Sequence, residues 1–278
     1  MQRKYRLLVI GPKNRHIENF VDRVFNDCSE IGVVTQADMD FPASVKVWKT
    51  DFAYRKLGNF LKTPRFITKV IEEFKPDLVH IHQIDSGAYF AMKALKKKGI
   101  PVVITAWGSD VLLNPDKGGF LRKNVVNCLR QADAFTSDST FMADKMRSLV
   151  QEKNLDIRIC NFGVPESDIP VQKGKFIYSN RMHNPLYRID KIIKAFAELK
   201  KTEVGKDWKL ILAGRGSETE NLLQQISDLN IEKDVDHVGF ISNEENFKLY
   251  AKSSVFVSVP ESDATAMSLL EAMYYGCY

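Results

Sequence analysis

The chain has 278 residues, of which 44% are hydrophobic and 27% are charged, and its formal net charge is +5. These totals are typical of a soluble globular protein and exclude a disordered or fibrous chain. The length allows one large domain or two ordinary ones, each with its own core. No apolar run approaches the length of about 18 residues that a membrane-spanning helix needs.

The N-terminus and the cysteines predict a cytoplasmic protein. The first residues, M-Q-R-K-Y-R-L-L-V-I-G-P, hold too short an apolar stretch for a signal peptide and lack a small-residue cleavage site, which favours a first strand. The cysteines are far apart and form no C-x-x-C pair, which favours reduced thiols. They are Cys28, Cys128, Cys160 and Cys277.

Apolar β-rich runs alternate with helical patterns along the first part of the chain. The predicted strands are 6–10, 32–34, 78–81, 102–106, 134–137 and 156–159. The predicted helices are 17–25, 64–74, 88–98, 119–131 and 139–153. This alternation predicts a parallel sheet with crossover helices.

A second series of the same kind follows the turn-rich segment 161–174. Its predicted strands are 175–178, 209–213, 237–240 and 255–259, and its predicted helices are 191–200, 218–229, 243–251 and 265–275. The sequence therefore predicts an α/β protein with two Rossmann-like doubly wound domains, residues 1–165 and residues 166–278. In such sheets ligands bind beyond the carboxyl ends of strands, where the motifs described below fall.

The basic excess lies in the first part of the chain. Residues 1–168 hold 26 Lys and Arg against 20 Asp and Glu, a net charge of +6. Most basic runs are solvated helix faces, but the mixed basic and apolar stretch 55–75 also suits peripheral contact with an anionic membrane surface. The excess is small and has no aromatic-basic motif, so nucleic-acid binding is not expected.

Two patterns that resemble metal sites have simpler explanations. His80 and His82 share one face of a strand, but no third and fourth ligands group with them, so a polar pair at the strand end is favoured over zinc. The D-x-D string at 38–40 has no nucleotide motif around it, and the D-x-D string at 234–236 precedes its strand. Both are interpreted as turn residues, and no metal site is expected.

The last nineteen residues, P-E-S-D-A-T-A-M-S-L-L-E-A-M-Y-Y-G-C-Y, form the most informative segment. An apolar strand leads into a polar turn and then a helix in which Glu271 lies among apolar residues, which is unfavourable unless something pairs with it. Ser262, Asp263 and Thr265 begin the helix, whose free N–H groups form an anion site. This layout suits a nucleotide-sugar diphosphate, with a carboxylate on the ribose. The alternative makes Asp263 an N-cap and Glu271 the partner of a basic side chain.

The spacing of Asp263 and Glu271 resembles the D/E-x7-E signature of retaining glycosyltransferases of family 4, which have the GT-B fold. The string S-D-A-T-A-M-S-L-L-E-A-M is similar to the family's S-D-G-T-P-x-S-L-L-E-A-M-A. Ala264 stands where the family usually has glycine, and Ala266 stands where proline is common. The resemblance implies that Ala264, Thr265, Ala266 and Glu271 bind the donor and that Asp263 faces the sugar hydroxyls.

The segment Y-S-N-R-M-H-N-P-L-Y-R, residues 178–188, resembles the family's G-R-x4-K-G element, whose Arg and Lys neutralise the donor diphosphate. Arg181 takes the arginine position, and Asn180 replaces the usual glycine. Arg188 is the best match for the lysine, with Tyr187 at the alternative register. Guanidinium groups aimed at a leaving diphosphate lower the barrier to transfer.

Two glycine turns also resemble donor-site elements of this family. Gly214 and Gly216 lie in L-A-G-R-G-S-E, which is similar to its x-G-x-G-x-E turn beside the nucleotide. Gly239, Phe240 and Ile241 are similar to its G-x-V turn, whose backbone meets the base. Plain turn geometry is the alternative in both places.

The segment T-A-W-G-S-D-V, residues 105–111, follows a strand where relatives carry H-G-x-D, with the histidine near the transferred sugar. Trp107 replaces that histidine, so no general base is expected there and a phosphate oxygen accepts the acceptor's proton. The resemblance assigns Gly11, Trp107 and Gly108 to the acceptor side and Asp110 to a sugar or acceptor hydroxyl. A packed indole and a helix N-cap are the alternatives.

The sequence therefore predicts a retaining, metal-independent glycosyltransferase that needs no cofactor. It would move a sugar from a nucleotide diphosphate donor to a saccharide or lipid-linked acceptor, as in surface polysaccharide or glycolipid assembly. Arg181, Arg188, Asp263 and Asp110 are its predicted catalytic residues. Family members continue beyond the position of Tyr278, so the second domain is expected to be incomplete. Two alternatives stay open, namely a non-catalytic nucleotide-sugar-binding or partner subunit of this fold and a nucleotide-sugar epimerase.

Overall fold

The computed structural model describes residues 4–151, 154–161, 163–164 and 166–278. The chain divides into two compact units, residues 1–161 (unit 1) and residues 162–278 (unit 2). The predicted domain boundary falls on Pro165, which lies outside the described residues, as do the last two residues of the helix predicted at 139–153. Each unit is built around one parallel sheet.

Unit 1 has a seven-stranded parallel sheet with the strand order β3-β2-β1-β4-β5-β6-β7. Its strands are β1 (Tyr5–Ile10), β2 (Cys28–Thr35), β3 (Lys46–Lys49), β4 (Leu78–His82), β5 (Val102–Thr105), β6 (Ala134–Ser137) and β7 (Ile157–Ile159). Its helices are α1 (Arg15–Val24), α2 (Asn59–Phe74), α3 (Ser86–Leu95), α4 (Ser109–Leu112), α5 (Gly119–Gln131) and α6 (Thr140–Val150). The strand order reverses between β1 and β4, and sheets of this kind bind ligands at such a reversal.

Short polar side chains fix where several of these helices begin. Asn14, Asp85 and Ser139 each accept a hydrogen bond from a backbone N–H in the first turn of α1, α3 and α6. The last four residues of β1 are all buried, as expected of a central parallel strand covered on both faces. The capping side chains follow strands, so these helices start at the carboxyl edge of the sheet.

Helix α2 begins earlier than predicted. The prediction started it at Pro64, whereas the helix begins at Asn59 and contains Pro64 in its interior. Proline has no N–H to donate to the carbonyl four residues earlier, that of Phe60. The ammonium group of Lys93 on α3 donates to that carbonyl instead, at 3.1 Å.

Unit 2 has a four-stranded parallel sheet with the strand order β10-β9-β8-β11. Its strands are β8 (Gly174–Ser179), β9 (Lys209–Ala213), β10 (Val235–Gly239) and β11 (Ser253–Phe256). Its helices are α7 (Ile189–Lys200), α8 (Thr219–Asp228), α9 (Asn243–Lys252) and α10 (Met267–Tyr274). The strand order reverses between β8 and β11.

The predicted α/β class with two doubly wound sheets is confirmed. In unit 2, one apolar cluster packs on the sheet from α7 and α8, and another packs on it from α9 and α10. Two short elements, β3 and α4, were not predicted, because four residues give too little periodicity to recognise. Strand β10 begins at Val235, so it includes part of the second D-x-D string. Among the described residues, no helix is both long and apolar enough to cross a bilayer.

Candidate functional site

The crevice of unit 2 lies where its strand order reverses. Strand β8 ends at Ser179 and is followed by loop 180–188, and β11 ends at Phe256 and is followed by loop 257–266. The two loops pair through their backbones, since Val257 N donates to Tyr178 O at 2.8 Å and Glu261 N donates to Leu186 O at 2.8 Å. The parallel sheet therefore brings together two segments that are about 80 residues apart.

Arg181 occupies the centre of this crevice. Its Nη2 atom donates to Asp263 Oδ2 at 2.6 Å, and its Nη1 atom donates to Ser268 Oγ at 2.8 Å. The guanidinium also stacks on the ring of Tyr187, 4.3 Å from its centroid. Only 12% of the Arg181 side chain is exposed. These contacts fix the direction of the Arg181 positive charge, as recognition of a diphosphate requires.

The paired glycines allow the next turn to pass under loop 180–188. Gly214 has a φ of +111°, and a Cβ there would lie 2.8 Å from Arg181 O. A Cβ on Gly216 would overlap the His183 carbonyl oxygen, which accepts a hydrogen bond from Glu218 N. The close approach of this turn to the backbone of loop 180–188 therefore requires both glycines, whether or not they also contact a ligand.

Glu271 lies on α10 beside a chain of tyrosine and asparagine side chains. Asn246 Nδ2 donates to Glu271 Oε2 at 3.3 Å, and Asn246 Oδ1 accepts from Tyr178 Oη at 2.7 Å and from Asn180 Nδ2 at 2.9 Å. Burial, together with the charge of Glu271, raises the pKa of Tyr250. Its hydroxyl, which accepts from Asn180, therefore stays protonated. The network fixes the carboxylate that was predicted to bind ribose.

The start of α10 differs from the prediction. The helix begins at Met267 rather than at residue 265, and Ala266 precedes it without a capping side chain. Asp263 is therefore not its N-cap, because its carboxylate pairs with Arg181 and accepts from Ala264 N at 3.0 Å. Ala264, Thr265 and Ala266 lie in the turn before the helix. Phe240, 72% exposed, and the partly buried Ile241 follow β10.

In unit 1, Gly11 and Trp107 follow strands near the reversal between β1 and β4. A Cβ on Gly11 would lie 2.6 Å from the end of the Ile17 side chain and 3.0 Å from the carbonyl oxygen of His82, so a larger residue would require these neighbours to shift. Trp107 is half-buried, its ring lies 5.1 Å from that of His16, and its Nε1 atom has no hydrogen-bond partner among the described residues. Gly108 is buried with a φ of +122°.

The burial of Asp110 contradicts its predicted contact with a sugar or acceptor hydroxyl. Asp110 has no exposed surface, and its carboxylate accepts hydrogen bonds from the backbone N–H groups of Ile84, Trp107, Gly108 and Val111. Burial raises its pKa, while these hydrogen bonds oppose the rise. Asp110 therefore joins the turn after β5 to the turn after β4 and positions Trp107 instead of touching a substrate.

His80 and His82 form part of the core of unit 1. His80 Nε2 lies 2.7 Å from Thr105 Oγ1, and burial lowers the pKa of His80 to about 4. The ring nitrogens of His82 are buried without a hydrogen-bond partner, and burial lowers its pKa well below the usual range. Both imidazoles are therefore neutral near pH 7. Within the described ranges, no three His, Cys, Asp or Glu residues group as a metal site would need.

Both units match glycosyltransferase family models. The model described as glycosyl transferases group 1 matches residues 164–278, and the model described as glycosyl transferase 4-like matches residues 7–139. The fold is that of GT-B proteins, and each unit matches a glycosyltransferase model over most of its length. The Arg181 crevice and Glu271 lie within the first match, and Gly11, Trp107 and Asp110 lie within the second.

Known glycosyltransferases resemble the chain in sequence and in fold. N-acetyl-alpha-D-glucosaminyl L-malate synthase of Bacillus anthracis is 27% identical over an alignment of 235 residues, and the match covers 76% of this chain and 57% of that protein. The apo form of the lipopolysaccharide outer core galactosyltransferase WaaB has a TM-score of 0.69 at 20% identity and covers 98% of this chain and 79% of its own. Anabaena HepE in complex with UDP has a TM-score of 0.74 at 16% identity, with coverage of 98% and 79%.

The lysine position of the glycosyltransferase element stays a prediction. Arg188 has a left-handed φ of +52° at the start of α7 and lines a cavity of about 180 Å³ together with Asn184, Asp190 and Glu218. Tyr187, the alternative, lies against Arg181. Among the described contacts of Arg181 there is therefore an aromatic ring and no second cation.

Sequence reasoning missed Asn246 and Ser268, although both touch predicted site residues. Ser268 lies one helical turn before Glu271 within the recognised motif. This spacing places the two side chains on the same face of the helix, so the sequence could have indicated Ser268. Asn246 lies on a different helix, and only the pairing of β8 with β11 brings that helix beside α10. No local pattern in the sequence indicates that contact.

Proposed function

We propose that the protein moves a sugar from a nucleotide diphosphate donor to a saccharide or lipid-linked acceptor, in surface polysaccharide or glycolipid assembly. The observation that carries the proposal is the Arg181 crevice, in which a fixed guanidinium, Asp263 and Ser268 meet at the strand-order reversal. Arg181 binds the diphosphate, Glu271 binds the ribose, and Asp263 orients a sugar hydroxyl.

The remaining donor residues surround these three. Gly214, Gly216, Phe240 and Ile241 supply the turns beside the nucleotide and base, and Arg188 adds charge on the diphosphate. Ala264, Thr265 and Ala266 bind the donor from the turn before α10. UDP is the first nucleotide to test, since HepE is in complex with UDP. The product named for the Bacillus anthracis relative carries an N-acetyl-α-D-glucosaminyl group, so UDP-N-acetylglucosamine is among the first donors.

We propose a retaining transfer without a metal ion or cofactor. The diphosphate charge is met by the guanidinium of Arg181 and by backbone N–H groups, as electrostatic stabilisation of a leaving group requires. Trp107 stands where relatives carry a histidine, and the buried Asp110 carboxylate is occupied by four backbone donors. A phosphate oxygen of the leaving group therefore accepts the proton of the acceptor hydroxyl as the new glycosidic bond forms.

The acceptor side of the proposal rests on unit 1. Gly11, Trp107 and Gly108 line the acceptor site, and the indole of Trp107 packs on an apolar face of the acceptor sugar. A lipid-linked acceptor places the protein at the cytoplasmic side of a membrane as a peripheral protein. The basic excess of residues 1–168 supports that location.

The test is transfer from a panel of UDP-, GDP- and ADP-sugars to saccharide and lipid-linked acceptors, with the anomeric configuration of the product read by NMR. The proposal expects product with the donor's configuration, the same rate in excess EDTA, and loss of product in Glu271→Ala. An inverted product refutes retention, and a rate that falls in EDTA and returns with a divalent cation refutes metal independence.

One observation favours a second candidate, a nucleotide-sugar-binding or partner subunit without turnover. Trp107 is a packed indole in place of the relatives' histidine, which removes a group near the transferred sugar. That candidate expects saturable binding of one nucleotide sugar and no product with any acceptor of the panel. Its Glu271→Ala variant loses binding as well, so only turnover separates the two candidates.

A further inference from the structure

Arg215 lies in the turn after β9, between Gly214 and Gly216. Its side chain is exposed and makes no hydrogen bond or ion pair among the described residues. The backbone of this turn is tied down, because Arg215 O accepts from His183 N at 3.2 Å and Gly214 N donates to Gly239 O at 2.7 Å. An unpaired guanidinium therefore extends from a fixed turn at the carboxyl edge of unit 2's sheet.

The guanidinium of Arg215 lies against the turn that follows β10. A Cβ on Gly239, whose φ is +67°, would lie 3.0 Å from Arg215 Nε and 3.2 Å from Arg215 Nη2. The guanidinium therefore fills the space that a side chain at residue 239 would need. The next residue, Phe240, is 72% exposed. An unpaired cation and an exposed aromatic ring thus flank one backbone turn.

The acidic residues that follow this turn are engaged elsewhere. Glu244 forms an ion pair with Lys248 one turn along α9, and Glu245 accepts a hydrogen bond from Ser242 N at 2.8 Å as part of the helix cap. An exposed arginine is often only a solvated side chain. Arg215 differs because it packs on backbone at the edge of the sheet where such folds bind their ligands.

The guanidinium and the phenyl ring together suit a flat ligand that carries hydrogen-bond acceptors. Aromatic rings and guanidinium planes both stack on nucleobases. A guanidinium has N–H donors and no acceptor. Guanine offers it the acceptors O6 and N7, and a pyrimidine with an oxo group offers O4, whereas adenine presents an amino donor in place of the oxygen. Arg215 therefore favours an oxo base, uracil or guanine, over adenine.

We propose that Arg215 selects an oxo base in the donor nucleotide and that Phe240 stacks on this base. The inference rests on the proposed binding of a nucleotide sugar by unit 2. The glycine turns bring backbone close to the base, and Arg215 supplies the side chain that distinguishes one base from another. The diphosphate is left to the crevice around Arg181.

The test is calorimetric titration of UDP, GDP and ADP into the full chain. The three nucleotides share ribose and diphosphate, so the ratio of their affinities isolates the base. The wild type is expected to bind UDP or GDP at least about tenfold more tightly than ADP, and Arg215→Ala is expected to lower this ratio below about threefold. Arg215→Lys keeps the charge without the planar fork and is expected to lower the ratio as well. Phe240→Leu is expected to weaken all three nucleotides alike, since stacking is available to every base.

Lys233→Ala is the matched control. Lys233 is exposed and lies just before β10, at the opposite end of the strand from Gly239, so the change removes a positive charge of unit 2 away from the turn. Its affinity ratio is expected to be that of the wild type. If the wild type binds ADP most tightly, or if Arg215→Ala keeps the wild-type ratio, base selection by Arg215 is overturned while nucleotide binding stands. If the folded wild type binds none of the three, the proposed function fails together with this inference.

Discussion

The Nη2 atom of Arg181 lies 2.6 Å from the Oδ2 atom of Asp263, and this ion pair joins the two loops of the unit 2 crevice. The guanidinium is held at two points, because its other terminal nitrogen, Nη1, donates to Ser268 Oγ. A guanidinium held in this way needs little reorganisation when a diphosphate arrives.

Replacing Arg181 by lysine is expected to weaken donor binding about tenfold although the charge is kept. An ammonium group cannot reproduce the planar fork that contacts both Asp263 and Ser268, nor the stacking on Tyr187. Calorimetric titration with the nucleotide diphosphate measures the effect. Arg158→Lys, which alters an exposed Arg–Asp pair with Asp156 in unit 1, is the matched control. Equal affinities in the wild type and Arg181→Lys would contradict a role for the fork.

Asn246→Leu is expected to lower both donor affinity and stability. The change removes the acceptor of the Tyr178 hydroxyl, one of the two acceptors of the Asn180 amide and the donor to Glu271 Oε2, so the free energy of unfolding falls by about 1–3 kcal/mol. The KM for the donor rises more than kcat falls, because the network positions a binding group.

Asn124→Leu is the control for that experiment. Asn124 is a buried asparagine of unit 1 that donates to Asp85 O at 3.0 Å, so its loss destabilises the fold by a similar amount. The donor KM of Asn124→Leu is expected to be that of the wild type. A rise in donor KM that is the same in both variants argues for a general effect of destabilisation and against positioning of Glu271.

Gly216→Ala is expected to destabilise unit 2 by about 1–3 kcal/mol, because its Cβ would overlap the His183 carbonyl oxygen. Gly119→Ala is the matched control, since a Cβ there meets no atom within 4 Å. Urea unfolding at constant pH measures both. A lower free energy of unfolding in Gly216→Ala alone supports the close approach of the two backbones. If neither variant is less stable than the wild type, loop 180–188 can move away without penalty.

Asp85→Asn is expected to remove one component of the pH dependence of stability. Burial raises the pKa of Asp85 to about 6, so the folded chain binds its proton more tightly than the unfolded chain does. This component favours folding below pH 4 and is lost as the pH rises to about 6, by about 3 kcal/mol. Asparagine keeps the N-cap but does not titrate.

The measurement is the difference in unfolding free energy between wild type and Asp85→Asn at several pH values. The variant is expected to gain stability relative to the wild type as the pH rises from 4 to 6, and the gain then levels off. The buried imidazoles of His80 and His82 titrate in both proteins, so they cancel in the difference. A difference that does not change with pH contradicts the raised pKa.

Most strands of the two sheets were predicted, because they are continuous apolar runs. The caps Asp85 and Ser139 were not used, and the helix that Asp85 caps was predicted to start two residues late, at 88 instead of 86. Arg181 was chosen because segment 178–188 resembles the G-R-x4-K-G element and because Arg181 lies at a strand end, and its role stays a prediction. The sequence did not predict that Asp110 is buried, because the four N–H groups around its carboxylate come from turns that only the folded sheet brings together. The Asn246–Glu271 contact escaped prediction for the same reason.

The central claim is that the crevice around Arg181 and Glu271 binds a nucleotide diphosphate. Calorimetric titration of UDP, GDP and ADP into the wild type, Arg181→Ala and Glu271→Ala tests it most directly. The account predicts saturable binding of one nucleotide to the wild type and its loss in both folded variants. No binding to the folded wild type, or equal binding to all three proteins, would contradict the account.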